Sequence, residues 1–342
     1  MVPIYIFRRK EGIKDSILLT LMQSQNEYEG GLFQQIKTAP FRNLATFVGE
    51  GESAKYVMIP HNYFSVENDT AYLHEAAAYT KQIGAKLFVF AYGDSTEPIV
   101  IDNAIIIRSS AYTSRLRPNE IIMPAFVEDI GEQFGVHYRE KTATVPTIGF
   151  TGWVRFNDWK QEYKYQIKIW RSKLAIWFAG APKPSLQGLF YRRQSIAFIN
   201  AAMRVTGRFI LRGSYSGSAK TVEADPSLIR KQFVDSITAA DLSLIVRGDG
   251  NFSLRLFEVL SLGRVPVFID TETPLPRAAE IDYDAFMIRV PYQNISQIDT
   301  IVGDFWDNLT SHAYIEMQKT ARIVFETKLR ADRFYIDLFA TL

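Results

Sequence analysis

The chain has 342 residues, 47% of them hydrophobic, and its 39 basic and 37 acidic side chains leave a net charge of +2. That length allows two domains of ordinary size, and so balanced a charge gives no electrostatic footprint for nucleic acid. Cysteine is absent, which excludes disulfides, cysteine-ligated metals and thiol nucleophiles.

The opening stretch, MVPIYIFRRKEG, is too short in apolar residues for a secretory signal, and its charges follow the apolar part instead of preceding it. No run approaches the roughly 18 uninterrupted apolar residues of a membrane helix. The expectation is a cytoplasmic chain, with peripheral membrane contact left open. Residues 55–60 (KYVMIP) and 85–92 (AKLFVFAY) read as buried strands, and 67–83 between them reads as helix. Segments 103–108 (NAIIIR) and 120–124 (EIIMP) extend the set. Short buried strands spaced by helix-length segments predict a largely parallel sheet with both faces covered.

The pattern restarts around 141–146. A strand is expected at 147–154 (TIGFTGWV), helices near 158–178 and 190–204, and a strand at 208–212. Then come a helix at 226–238, a strand at 242–247, a helix at 254–262 and a strand at 265–269. Segment 313–342 is helical in character, and its end, 326–342, is expected to cross back to the first domain. The whole reads as α/β, with two Rossmann-like β/α/β domains, 1–145 and 146–325, facing a central cleft where ligands bind.

The stretch 241–276 (DLSLIVRGDGNFSLRLFEVLSLGRVPVFIDTETPLP) carries the most chemistry. After an apolar strand, Arg247-Gly248-Asp249-Gly250-Asn251 makes a turn that glycine tolerates. Ser253 is placed as the N-cap of the next helix, and Gly263 as its stop. Backbone N–H groups in the turn, and the start of the helix, then favour an anion. Arg247 and Arg255 add guanidinium groups suited to bidentate phosphate contacts. Glu258, three residues after Arg255, shares its helix face and can accept hydrogen bonds from ribose hydroxyls. Phosphate at the helix start and ribose one turn on describe a nucleotide diphosphate. The bland alternative is a surface ion pair between Arg255 and Glu258, worth at most about 1 kcal/mol. Against it, Leu254, Leu256, Phe257, Val259, Leu260 and Leu262 make the helix apolar nearly all round.

At these residues the chain resembles exostosin-type glycosyltransferases. The pattern is Arg247-Gly248, then Ser253-Leu254-Arg255, Glu258, Gly263-Arg264-Val265-Pro266-Val267, Leu275-Pro276 and Asp282-Tyr283-Asp284-Ala285-Phe286. Weaker similarity covers Tyr56 to Pro60, Phe90 to Asp94, Arg108 to Pro124 and Thr147 to Trp153. Members of the secretory pathway often carry cysteines here and a membrane anchor; this sequence has no cysteine, and a relative without an anchor is expected.

The resemblance implies a GT-B fold, an acceptor-side first domain and a nucleotide-sugar-binding second domain. It implies inverting transfer from a nucleotide diphosphate sugar, with UDP expected, to a hydroxyl of an oligosaccharide or lipid-linked glycan, in polysaccharide or surface-glycan synthesis. No metal or other cofactor is expected. The departing diphosphate must be stabilised, a task for Arg247, Gly248, Asp249, Gly250, Asn251, Ser253, Arg255 and Glu258, with Arg155 as a further candidate. The acceptor hydroxyl needs a base. Asp94 and His61, each just after a strand, are the preferred pair, with Asp129 behind them. The rival expectation is a nucleotide-sugar-binding subunit without catalysis. A nicotinamide-dependent enzyme is disfavoured, because Gly248-x-Gly250 lacks the third glycine of a dinucleotide fingerprint.

Asp282-Tyr283-Asp284 also has the form of a metal-binding Asp-x-Asp, but such tripeptides arise often by chance, and the four histidines lack zinc spacing. Residues 159–178 mix basic and aromatic side chains. The expectation is a helix packed on its own domain with a solvated basic face, with contact to an anionic membrane as the alternative.

Overall fold

A computed structural model describes residues 1–29, 35–50, 53–178, 186–213 and 225–342. In the first domain the chain runs through β1 (Val2–Ile6), α1 (Ile17–Gln23), β2 (Tyr28–Glu29), β3 (Gln35–Ile36), β4 (Ala45–Val48) and β5 (Tyr56–Met58). It continues through α2 (Thr70–Gln82), β6 (Lys86–Ala91), β7 (Ala104–Arg108), β8 (Glu120–Ile122) and α3 (Ile130–Phe134). Six strands form one sheet in the order β4-β1-β5-β6-β7-β8, and every pairing in it is parallel. β2 and β3 make a separate antiparallel ribbon.

The pleat explains why β6 is apolar from Leu87 to Ala91. Successive side chains point to opposite faces, so Leu87 and Val89 join the core under α2 while Phe88 and Phe90 join the core under α1. A parallel sheet buried on both faces needs such continuous apolar runs.

The second domain holds β9 (Thr147–Trp153), α4 (Trp159–Phe178), α5 (Gly188–Asn200), β10 (Thr206–Arg212), α6 (Pro226–Thr238) and β11 (Leu242–Ile245). There follow α7 (Leu254–Ser261), β12 (Val265–Asp270), β13 (Ile288–Pro291), α8 (Ile298–Asn308) and α9 (Ser311–Val324). Its sheet has the order β10-β9-β11-β12-β13 and is again parallel throughout. Leu242, Leu244 and Val246 pack towards α5 and α8, whereas Ile245 and Phe268 pack towards α6 and α7. Gly263 takes a φ of +61° and ends α7, as its position in the sequence predicts.

The last helix, α10 (Ala331–Thr341), lies in the first domain's core. Tyr335 stacks on Phe126 at 5.8 Å between centroids, and Phe339 meets Phe88 at 5.7 Å. The architecture is two Rossmann-like domains, with the chain returning to the first domain at its end. Among the described residues, no helix is long and apolar enough to cross a membrane.

Candidate functional site

Parallel α/β sheets bind ligands beyond the carboxyl ends of their strands, and in the second domain those ends are β9, β11 and β12. Where β9 ends, Arg255 of α7 donates from Nη2 to the Thr151 carbonyl, and Arg192 of α5 donates from Nη1 to the Trp153 carbonyl at 2.6 Å. Carbonyls two residues apart on a strand point the same way, so both arginines reach one edge of β9. Both also gather on the Phe150 ring, Arg255 at 4.4 Å and Arg192 at 5.6 Å from its centroid. A Cβ on Gly152 would lie 3.0 Å from Arg255 Nη2, so only glycine lets that side chain settle there without displacement. Thr151 Oγ1, in the same place, is buried with no hydrogen-bond partner.

Arg255 sits in the first turn of α7. Ser253 is at the N-cap, as the sequence predicts, but its hydroxyl makes no capping hydrogen bond. The helix start thus lacks that side-chain acceptor for its N–H groups, and its dipole adds to the positive charge of the two arginines. Guanidinium groups beside a helix N-terminus form a place suited to a phosphate.

Arg247 has a different job from the phosphate contact expected of it. It is 4% exposed and donates to the Gly250 carbonyl at 3.1 Å, the Asp249 carbonyl at 3.0 Å and the Tyr112 hydroxyl at 3.0 Å. Its guanidinium shapes the turn from within and fastens it to the first domain. Its own carbonyl accepts from Arg192 Nη2 at 3.4 Å. Gly248 closes the turn by donating to the Phe252 carbonyl at 2.9 Å, and Asp249 is exposed at its tip.

Asn251 also departs from expectation: it is fully buried and binds protein. Its Nδ2 donates to the carbonyls of Ala111, Thr271 and Glu272 at 2.9, 3.1 and 3.1 Å. Its Oδ1 accepts from the hydroxyls of Thr271 and Thr273 at 2.6 and 3.0 Å. Gly250 donates to Asp94 Oδ1 at 3.1 Å, and a Cβ at that glycine would lie 2.7 Å from Asp94 Cα. The domains therefore meet along this turn, and Asp94 is brought to it from the end of β6.

Glu258 shares a helix face with Arg255 but is engaged elsewhere. It accepts from Arg230 of α6 at 3.2 Å, and Arg230 in turn holds Glu128 of the first domain. Burial pushes the Arg230 pKa down, and Glu258 opposes that shift. Arg155 is exposed on the segment after β9, where its carbonyl accepts from Trp153 Nε1 at 2.6 Å.

His61 is corrected as a catalytic candidate. The ring is fully buried, Nε2 accepts from the Lys10 N–H at 2.8 Å and Nδ1 faces the Lys14 carbonyl at 3.0 Å. Both nitrogens hold the 10–14 segment, leaving no lone pair for a substrate hydroxyl. Asp129 likewise caps α3 through the Glu132 N–H at 3.1 Å and pairs with Arg322 at 2.5 Å. Asp282 caps a short 3₁₀ turn and Asp284 pairs with Arg289 at 3.1 Å, which gives the Asp-x-Asp tripeptide a structural role. Among the described residues, no group of His, Asp or Glu side chains could hold a metal ion.

Arg192, Phe150 and Tyr112 were not singled out from sequence. The signal for Arg192 was faint: it is one of two adjacent arginines, and the other, Arg193, pairs with Glu162 at 2.7 Å.

Residues 167–305 match the family model described as Exostosin GT47 domain, so the exostosin-type resemblance read from 247–276 holds over a stretch that contains α5, β11, α7 and β12. A solved structure titled "Crystal Structure of TarM" is similar at a TM-score of 0.39 and 10% identity. That alignment covers 84% of this chain and 53% of the other, so the chain spans about half the length of that structure. No curated protein matches the chain.

Proposed function

We propose that the chain is an inverting glycosyltransferase, moving a sugar from a nucleotide diphosphate sugar to a hydroxyl of an oligosaccharide or lipid-linked glycan in polysaccharide or surface-glycan synthesis. The observation that carries this reading is the convergence of Arg192 and Arg255 on Phe150 beside the start of α7. Transfer needs charge stabilisation on the leaving diphosphate. Two guanidinium groups and open helix amides supply it, with no metal required. UDP is the nucleotide we expect.

Asp94 is the base in this reading. Its carboxylate is exposed at the junction of the domains, with Oδ1 held by the Gly250 N–H, and a positioned base contributes about 10²–10⁴-fold. The locked His61 ring favours a second reading, a nucleotide-sugar-binding subunit without transfer.

A thermal-shift panel of UDP-, GDP- and CMP-sugars tests both. One donor class should raise the melting temperature by mass action, and Arg192→Ala should remove that rise. Asp94→Asn should keep the rise and abolish transfer. A panel with no shift for any donor refutes the donor site, and a shift without transfer by the wild type selects the binding subunit.

A further inference from the structure

Helix α4 has two apolar faces, and its own domain uses only one. Turning 100° per residue, Tyr165 and Ile169 fall on one side and are buried, with Ile176 packed beside them. On the other side, Trp159, Tyr163, Ile167, Trp170, Trp177 and Phe178 project outward, with Trp177 81% and Phe178 79% exposed. A core-facing helix of 20 residues needs a single stripe. Among the described residues, the second stripe with its three tryptophans joins no hydrophobic core.

The flank of that outer stripe is basic. Lys160, Lys164, Lys168 and Arg171 follow one another along its border, and Lys173 lies on the opposite border. The one acidic residue of the helix, Glu162, is already paired with Arg193. Aromatic rings that are apolar in body and polar at the tip, bordered by long cationic side chains, match the boundary between acyl chains and headgroups. The sign of the charge selects an anionic surface.

We propose that the outer face of α4 docks the protein on an anionic lipid surface, lying along it without crossing. The membrane would then present a lipid-linked acceptor to the same domain pair. Docking itself does not depend on the donor-site reading.

Co-sedimentation of the full chain with vesicles tests this. Vesicles of equal parts phosphatidylglycerol and phosphatidylcholine should carry the protein down, and pure phosphatidylcholine should not. Trp170→Ser/Trp177→Ser and Lys164→Glu/Lys168→Glu should each weaken partitioning about tenfold or more, and salt should weaken the wild type. Because these side chains are exposed, both variants should keep the wild-type melting temperature and any nucleotide-sugar shift. Equal sedimentation with both vesicle types overturns the proposal, as does sedimentation with neither. A concentration-dependent dimer that the tryptophan variant abolishes, without vesicle binding, assigns the face to a second copy of the chain and also overturns it.

Discussion

The amide of Asn251 shares its two protons among three backbone carbonyls and accepts two threonine hydroxyls, all in a seam closed to water. Removing such a group leaves buried acceptors unsatisfied, at about 1–3 kcal/mol for each group left without a partner. Asn251→Ala should therefore lower stability by about 2–3 kcal/mol, seen as a lower urea midpoint. An unchanged midpoint would show that the network contributes nothing net. The sequence marked Asn251 as part of the important turn but not what it binds, since its partners lie at 110–111 and 271–273. His61 is similar: its position after a strand is legible, but the Lys10 N–H and Lys14 carbonyl that occupy its ring come from a distant segment. A side chain's chemistry is readable from its type, whereas its availability depends on contacts far along the chain.

At the scale of elements, α4 is held to its domain by Glu162 and Arg193 as well as by Tyr165 and Ile169. The hydrogen bond from Arg193 holds the Glu162 carboxyl well below its usual value of 4.5, at about 2. A carboxylate depressed in this way stabilises the fold fully above its unfolded pKa and loses that contribution as pH falls through the folded one. The attachment of α4 should loosen between about pH 4.5 and pH 2. Tryptophan fluorescence during acid titration should show a step in that window, and Glu162→Gln should remove it. The same step in both proteins would mean that another group controls the helix. The segments 226–238 and 265–269 are legible in sequence and agree with α6 and β12 to within a residue. Not legible are β1, β2, β3, β4, β13, α1, α3 and α8. In β4 (ATFV) and β13 (IRVP), Thr46 or Arg289 and Pro291 interrupt the unbroken apolar run that marks a buried strand.

On the scale of the whole molecule, the two parallel sheets follow from β/α alternation, but the seam between them does not. It is built from Asp94, Ser110 and Tyr112 on one side and the 247–251 turn on the other, with Glu128 and Arg230 joining the domains beside it. Removing one partner of a buried ion pair leaves an uncompensated charge, so the Arg230–Glu128 pair ties the domains together while Glu258 pairs with Arg230 inside the second domain. The 247–251 turn is thus gripped by the first domain. The diphosphate site we propose is therefore the end of β9 with Arg192, Arg255 and the start of α7.

Isothermal titration of UDP into the wild type and Arg255→Ala tests that assignment most directly. Charge-assisted hydrogen bonds are worth about 1.5–3 kcal/mol, so the variant should bind UDP about 10- to 100-fold more weakly at a comparable melting temperature. Equal affinity for UDP in the two proteins would contradict the account.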